Sequence, residues 1–314
     1  MKNLINHLKT FLFFPIYTRK NNLINLETLE KINNLDREIK SKSTETNALI
    51  LSLLSNDYGL NRTKRQKELI VSLTTHSHRI EKVGLVIQSI MDQTFKADKI
   101  VLSINKEKFN DENIPNTLKL LEQRGLTINY CKDIGPYTKL VPVLKKYPES
   151  IIVTVDDDLI YPRNLLETLY KAYEVEPNFI HCLRMHYMKF ASSGEIKPYI
   201  EWDLCSYITK ADDYVFPTGV GGVLYPPNSF GDEVFNEDAF MNLSPNADDV
   251  WFKAMSLLNN VLCKKVDSDI MNNPVVISGT EFSGLKHENL YNNANDVKID
   301  QVFSTYDLWK KFKT

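Results

Sequence analysis

The sequence has no apolar run near the roughly 18 residues that a membrane-spanning helix needs, and no compact N-terminal apolar core followed by a small-residue cleavage site. A chain that is neither secreted nor membrane-spanning is expected. Its four cysteines, Cys131, Cys182, Cys205 and Cys263, are far apart, with no CxxC pair and no histidine at zinc-finger spacing. They read as reduced and buried, in a cytosolic protein. Nor does one sign of charge predominate. With 38 basic and 40 acidic side chains the net charge is -2, so there is no whole-chain field to gather nucleic acid, and nucleic acid drops out as a partner. GxxxxGK[ST] and GxGxxG are both absent, which excludes a P-loop ATPase and a dinucleotide enzyme at the motif level. There is no internal repeat and no Pro-rich or Gly/Ser linker, so residues 68–314 read as one domain.

What is present is enough apolar residue, 43% of 314, to bury a full core. Residues 4–17 are apolar and aromatic, with Lys9 inside and Arg19 and Lys20 just after. Too short to span a bilayer, they suit either a peripheral contact with a membrane surface or a short helix packed on the domain or on a second copy. From residue 21 to 67 the chain is polar, with Leu26, Leu29, Ile32, Leu35 and Ile39 at roughly helical spacing. Residues 1–67 are therefore expected to form an N-terminal helical extension, for membrane-surface or homo-oligomer contact.

The character changes at Glu68. ELIVSLTTH (68–76), DKIVLSIN (98–105), LTINYC (126–131) and SIIVTV (150–155) read as strands, the last apolar enough to be buried on both faces. Between them Val83–Met91, residues 116–124 and Lys139–Tyr147 carry helical spacing, and further helices are expected near Pro162 and Asp248. Strands alternating with helices predict an α/β fold with a mostly parallel central sheet flanked by helices. Ligands in such sheets sit at the carboxyl ends of the strands. That directs attention to Thr74-Thr75-His76 and to Asp156-Asp157-Asp158.

Three consecutive carboxylates at a strand end repel one another unless a cation neutralises them. A divalent Mg²⁺ or Mn²⁺ does so with one or two carboxylates while substrate phosphates complete its shell. Asp156 and Asp158 can share one crevice while Asp157 points elsewhere; the plainer reading is an acidic turn, with Asp158 near a helix start. A second acidic pair, Asp248-Asp249, heads a predicted helix, where capping is its plain role. In PTGVGGVLYPP (217–227), Gly219, Gly221 and Gly222 suit a sharp turn or a backbone laid against a ligand. Trp202 and Trp251 are candidates for stacking on sugar rings or for the core. His181 and His186 are expected to pack or face solvent, and the Asn/Asp-rich run Asn289–Asp300 reads as a loop.

VSLTTHSHRIEKVGLVIQSIMDQTFKADKIVLSIN resembles the opening of GT-A glycosyltransferases, and IIVTVDDDLIYP resembles their metal-binding DxD motif, about 85 residues further on. The resemblance runs from about residue 68 to 260 and is closest to family-2-like transferases of bacterial surface-polysaccharide assembly. It implies a GT-A, Rossmann-like fold and transfer of a sugar from a nucleotide-sugar donor, a UDP-sugar foremost, to a saccharide or glycolipid acceptor. It also implies a Mn²⁺ or Mg²⁺ cofactor, bound by Asp158 and Asp156 with His287 as a late ligand. The nucleotide side would involve Thr74, Thr75, Arg79, Asp133, Lys139, Asp156 and Asp157, with Gly221 and Gly222 on the floor of the site. Asp249 would be the base of an inverting reaction and Asp248 its positioning partner. Such an enzyme would be cytoplasmic, peripheral at the inner face of the membrane. The alternatives are a nucleotidyltransferase, which lacks here its Gly-rich basic loop after the first strand, and a catalytically inactive saccharide-binding protein.

Overall fold

The computed structural model describes residues 28, 29, 31–280 and 294–312. The chain divides into two compact units, Met1–Thr46 and Asn47–Thr314. The first is helical over its described residues, with Leu29, Ile32, Leu35 and Ile39 all exposed. Residues 4–17 lie outside the described residues. No helix among the described residues is long and apolar enough to cross a membrane.

The second unit opens with helix α1 (residues 47–54), whose Leu51 carbonyl accepts from Arg124. The stretch after it is tied down by Asn61 and Arg65, which both bond the Asp98 carboxylate. Strand β1 (Leu69–Thr74) then runs up the middle of a seven-stranded sheet, parallel to β2 (Lys99–Asn105) on one side and β4 (Ile151–Thr154) on the other. Strand β3 (Leu126–Cys131) pairs in parallel outside β2. Beyond β4 comes β9 (Val223–Tyr225), the one antiparallel member, and then β6 (Ile180–Cys182) and β10 (Cys263–Lys265), parallel to each other. The order is β10-β6-β9-β4-β1-β2-β3. This is the helix-flanked, mostly parallel sheet expected from the sequence.

The apolar runs are long because both faces are covered. On β1, Ile70 faces one core while Leu69, Val71 and Leu73 face the other; on β4, Ile152 opposes Ile151 and Val153 in the same alternation. Helices α2 (Val83–Met91), α3 (Asn116–Gln123) and α5 (Leu165–Val175) pack the second face through Val83, Leu118 and Leu165. Helices α4 (Val141–Lys146), α6 (Glu237–Leu243), α7 (Asp248–Leu258) and α8 (Ala294–Thr305) pack the first through Val141, Phe240, Trp251 and Val302. Two small pairs flank the sheet: β5 (Leu159–Ile160) with β11 (Val275–Val276), and β7 (Met185–Tyr187) with β8 (Val215–Pro217).

Several expectations need correction. The helix read from Lys139 to Tyr147 is two elements, a 3-10 turn Gly135–Lys139 and then α4, because Pro142 lacks an N–H and suits a first helical turn. The run Asn289–Asp300 is not one loop, since from Ala294 it is helical and buries Ile299, Val302 and Phe303 at i, i+3, i+4 spacing. The cysteines are all free, but only Cys182 and Cys263 are buried; Cys205 is exposed and Cys131 half-buried. Trp202 and Trp251 are core residues at 4% and 0% exposure, so neither offers a face to a sugar. Both acidic runs also stand outside capping. Helix α5 starts at Leu165 after Asn164, well past Asp158, and α7 has no side-chain cap.

Candidate active site

Strands β1 and β4 are parallel neighbours at the point where the strand order reverses, so their carboxyl ends open onto one crevice. The loop after β1 contributes Thr75 and Arg79, and the turn after β4 contributes Asp156, Asp157 and Asp158. Asp157 is buried, accepting from Thr75 Oγ1 at 2.5 Å and from Arg79 Nη1 at 2.6 Å. The same Arg79 nitrogen lies 3.0 Å from Asp158, and Nη2 donates to the Thr280 carbonyl at 2.9 Å. Asp157 and Asp158 therefore share one guanidinium. Asp156 turns instead to Lys139, whose Nζ donates to it at 2.9 Å. Its backbone N–H donates to the Tyr161 hydroxyl at 2.8 Å, which fixes the turn.

Lys139 is the hub. It is 7% exposed, and its backbone is held by Ser72 of β1, whose hydroxyl donates to the Lys139 carbonyl. Besides Asp156, Nζ lies 2.9 Å from Asp248 Oδ2, an ion pair off the hydrogen-bonding direction. Burial alone would lower the pKa of this ammonium. The charges of Asp156, Asp248 and Asp249 outweigh it and push the pKa well above its ordinary value. Asp249, next along α7, accepts the Gly219 N–H on both oxygens, at 3.1 and 3.2 Å. A Cβ on Gly219 would lie 2.7 Å from Lys139 Nζ, 3.3 Å from Asp249 Oδ1 and 3.4 Å from Asp156 Oδ1, so a side chain there would displace the ammonium. Those four residues converge on one point.

The electrostatics of this network are lopsided, with five carboxylates (Asp156, Asp157, Asp158, Asp248, Asp249) and two cations (Arg79, Lys139). Asp158 shows the consequence. Burial first, then the charge of Asp156, raises its pKa to about 6 against the pull of Arg79. Asp249 is raised to about 7 by burial and by Asp248, against Lys139. Among the described residues no three of His, Cys, Asp and Glu are placed to hold a metal ion unaided. The donor set nonetheless fits one. Asp156 and Asp158 are each about a quarter exposed to the crevice, 28% and 26% at the side chain, and the site carries surplus negative charge. A hard divalent ion that takes one or two protein carboxylates and completes its shell from phosphate and water matches such a site.

By sequence the chain matches no family model and no curated protein. By structure it is similar to S. aureus TarS 1-349, at 14% identity and a TM-score of 0.43, over 64% of this chain and 58% of that one. It is also similar to the mannosyltransferase PcManGT from Pyrobaculum calidifontis in complex with GDP-Man and Mn²⁺, at 13% identity and 0.40, over 73% and 65%. A third is a CMP:2-keto-3-deoxy-manno-octonic acid synthetase complexed with CTP, at 11% and 0.38, over 63% and 89%. The chain thus spans under two thirds of the length of the TarS and PcManGT structures.

Of the residues singled out from the sequence, Thr75, Arg79, Lys139, Asp156, Asp157, Asp158, Asp248 and Asp249 form this one network. Asp157 does not point away from its neighbours, because Arg79 draws it and Asp158 together. Thr74 donates to the Ser103 carbonyl on the neighbouring strand, outside the network. Asp133 sits exposed at the start of the Gly135–Lys139 turn, accepting from the Gly135 N–H and from Asn105. Gly221 ends a second 3-10 turn, the glycine turn Gly219–Gly221, and Gly222 follows it: a Cβ on Gly221 would reach Arg184 Cβ at 2.5 Å, and Gly222 has φ +83°. His287 lies outside the described residues. Tyr161 and Thr280 are additions, and Gly219, singled out in the glycine-rich run, joins the network through its N–H. Tyr161 accepts a backbone N–H on its hydroxyl and Thr280 offers its carbonyl, roles that leave no pattern in the sequence.

His181 and His186 both pack. His186 is 4% exposed and its Nδ1 accepts the Cys205 N–H at 2.9 Å, which requires the neutral ring. Burial, helped by the charge of Arg184, lowers its pKa to about 4. A depressed folded pKa means stability that is present above the unfolded value near 6.5 and lost as pH falls towards 4, on the order of 2–3 kcal/mol. Urea unfolding of wild type and His186→Gln between pH 4 and 7.5 checks this. Wild type is expected to lose more stability across that window, and parallel curves would contradict it.

Proposed function

We propose that this chain is a metal-dependent glycosyltransferase that moves a sugar from a nucleotide-sugar donor to a saccharide or glycolipid acceptor with inversion, in bacterial surface-polysaccharide synthesis. The observation that carries the reading is the placement of Asp249. A half-buried carboxylate, oriented by the Gly219 N–H, stands beside Asp156 and Lys139 in a crevice at the carboxyl ends of β1 and β4. Its pKa of about 7 suits a general base near neutral pH. In this reading Asp249 takes the proton of the acceptor hydroxyl as that oxygen bonds to the anomeric carbon. The bond from that carbon to the donor diphosphate breaks at the same time, and the nucleoside diphosphate leaves with the electron pair. Asp248 and Asp156, pinned by Lys139, hold the walls of the crevice, and Arg79 keeps Asp157 and Asp158 in register. Asp158 and Asp156 would hold Mn²⁺ or Mg²⁺, which when bound supplies positive charge for the departing diphosphate. Thr75, Arg79 and the exposed Asp133 flank the nucleotide side.

Thermal shift with UDP-, GDP- and CMP-sugars, with and without Mn²⁺, tests the reading on wild type and Asp158→Ala. A ligand that binds only the folded state raises its stability by mass action, by about 2.7 kcal/mol at a hundredfold excess over Kd. Metal-dependent stabilisation by one nucleotide class, UDP-sugars foremost, is expected, and its loss in Asp158→Ala. A folded wild type that no nucleotide stabilises would overturn it.

A further inference from the structure

The cations around the crevice are not equally occupied. Arg79 is committed to Asp157 and Asp158, and Lys139 to Asp156 and Asp248. Arg184, two residues beyond β6 and half-buried, differs. It forms no ion pair with any described residue, and its one side-chain hydrogen bond is from Nη1 to the Thr218 hydroxyl at 2.7 Å. A guanidinium has five N–H donors in a planar fork matched to phosphate or carboxylate, so most of this one's capacity faces no anion among the described residues. The strand segment is held hard against the glycine turn. The Thr218 N–H donates to the Arg184 carbonyl at 3.1 Å, and Gly221 has no space for a Cβ against Arg184.

Its position relative to Asp249 is the second observation. Thr218 holds the guanidinium, and Gly219, the next residue, holds the Asp249 carboxylate. The first end of the turn bears on Lys139 and Asp156, the other on Arg184. Arg184 is thus held one residue along the turn from the N–H that holds Asp249, and apart from the ion pairs that occupy Arg79 and Lys139.

We propose that Arg184 forms a subsite for an anionic group of the acceptor, a phosphate or a carboxylate near the hydroxyl that Asp249 deprotonates. This rests on the glycosyl-transfer reading and narrows its acceptor to negatively charged glycans or polyol phosphates. Thr218 aims the fork, and the subsite selects against neutral acceptors, which leave the guanidinium unpaired.

The test uses the full chain in EDTA at fixed ionic strength, so that metal-dependent diphosphate binding does not contribute. Calorimetric titration with glycerol 3-phosphate, glucuronate and glycerol is compared in wild type, Arg184→Gln, Arg184→Lys and Thr218→Val, each first shown by its unfolding midpoint to be folded. Wild type is expected to bind one or both anions saturably and not glycerol; which anion binds tells phosphate from carboxylate. Loss of a charge-assisted fork should weaken binding roughly tenfold or more in Arg184→Gln, with Arg184→Lys and Thr218→Val in between. Nucleotide-sugar binding with Mn²⁺ should be unchanged in Arg184→Gln. Equal anion binding by wild type and Arg184→Gln, or none by wild type, overturns the subsite. Loss of nucleotide-sugar binding in Arg184→Gln overturns its assignment to the acceptor and gives Arg184 to the donor. Saturable anion binding in a chain that binds no nucleotide would leave the subsite standing and remove the transferase reading.

Discussion

Replacing Lys139 with methionine is expected to destabilise the protein by about 3–5 kcal/mol at pH 7, the range found when one partner of a buried ion pair is removed. The side chain is only 9% exposed, and its Nζ is shared by Asp156 and Asp248, with Asp249 close enough to raise its pKa further. Methionine fills a similar volume, so the loss is that of a charge rather than of packing. The penalty has a pH signature. Lys139 opposes the rise in the Asp249 pKa, so without the ammonium Asp249 takes up its proton more readily, and the gap between wild type and Lys139→Met should narrow as pH falls from 7 to about 5. Adding Asp248→Asn to Lys139→Met should restore part of the loss, because the two sites are coupled. Urea unfolding of wild type, Lys139→Met, Asp248→Asn and the double variant measures all three statements. A cost below about 1 kcal/mol would mean that Lys139 behaves as an exposed surface pair and that the hub does not hold the site together.

Asp249→Asn is expected to leave the fold and nucleotide binding in place and to lower transfer by about 10²–10⁴-fold, the usual contribution of a general base. Asparagine keeps an oxygen for the Gly219 N–H, so the glycine turn should not move. Stability should rise at alkaline pH. A carboxyl whose folded pKa is about 7, against about 4 unfolded, contributes stability that is full below 4 and lost as pH climbs through 7. The amide has no such loss. Wild type should therefore become less stable than Asp249→Asn above pH 7, while the rate profile of wild type should fall on the acid side with a midpoint near 7. Turnover with the donor found by the nucleotide screen decides the matter. Retention of more than about a tenth of wild-type activity would remove Asp249 as the base.

The two predictions draw on residues whose roles were not equally legible. The strands around LIVSLT and IIVT could be read directly, because a strand buried on both faces is apolar at every position. The carboxylates at their ends and at the head of α7 were equally plain, since clustered acids beside apolar runs are unusual in any sequence. Lys139 was different. A lysine in a helical stretch has the same local pattern whether it is solvated or buried, and only the approach of α7 to the turn after β3 shows that it is the counter-ion of two acids. Arg184 and Thr218 gave no signal of their own for the same reason.

What the sequence determined by itself is what depends on one segment at a time: the alternation of strands and helices, the parallel half-sheet, and the acidic strand end that marks the crevice. Burial period and turn chemistry are local properties, and they are written in consecutive residues. The tertiary structure alone decided which charges meet. It inserted β9 antiparallel between β4 and β6, brought the glycine turn under Asp249, and gave Lys139 to Asp156 and Asp248 and Arg79 to Asp157 and Asp158. Those pairings join side chains far apart in the chain, through packing distances of about 3 Å that no periodicity reports.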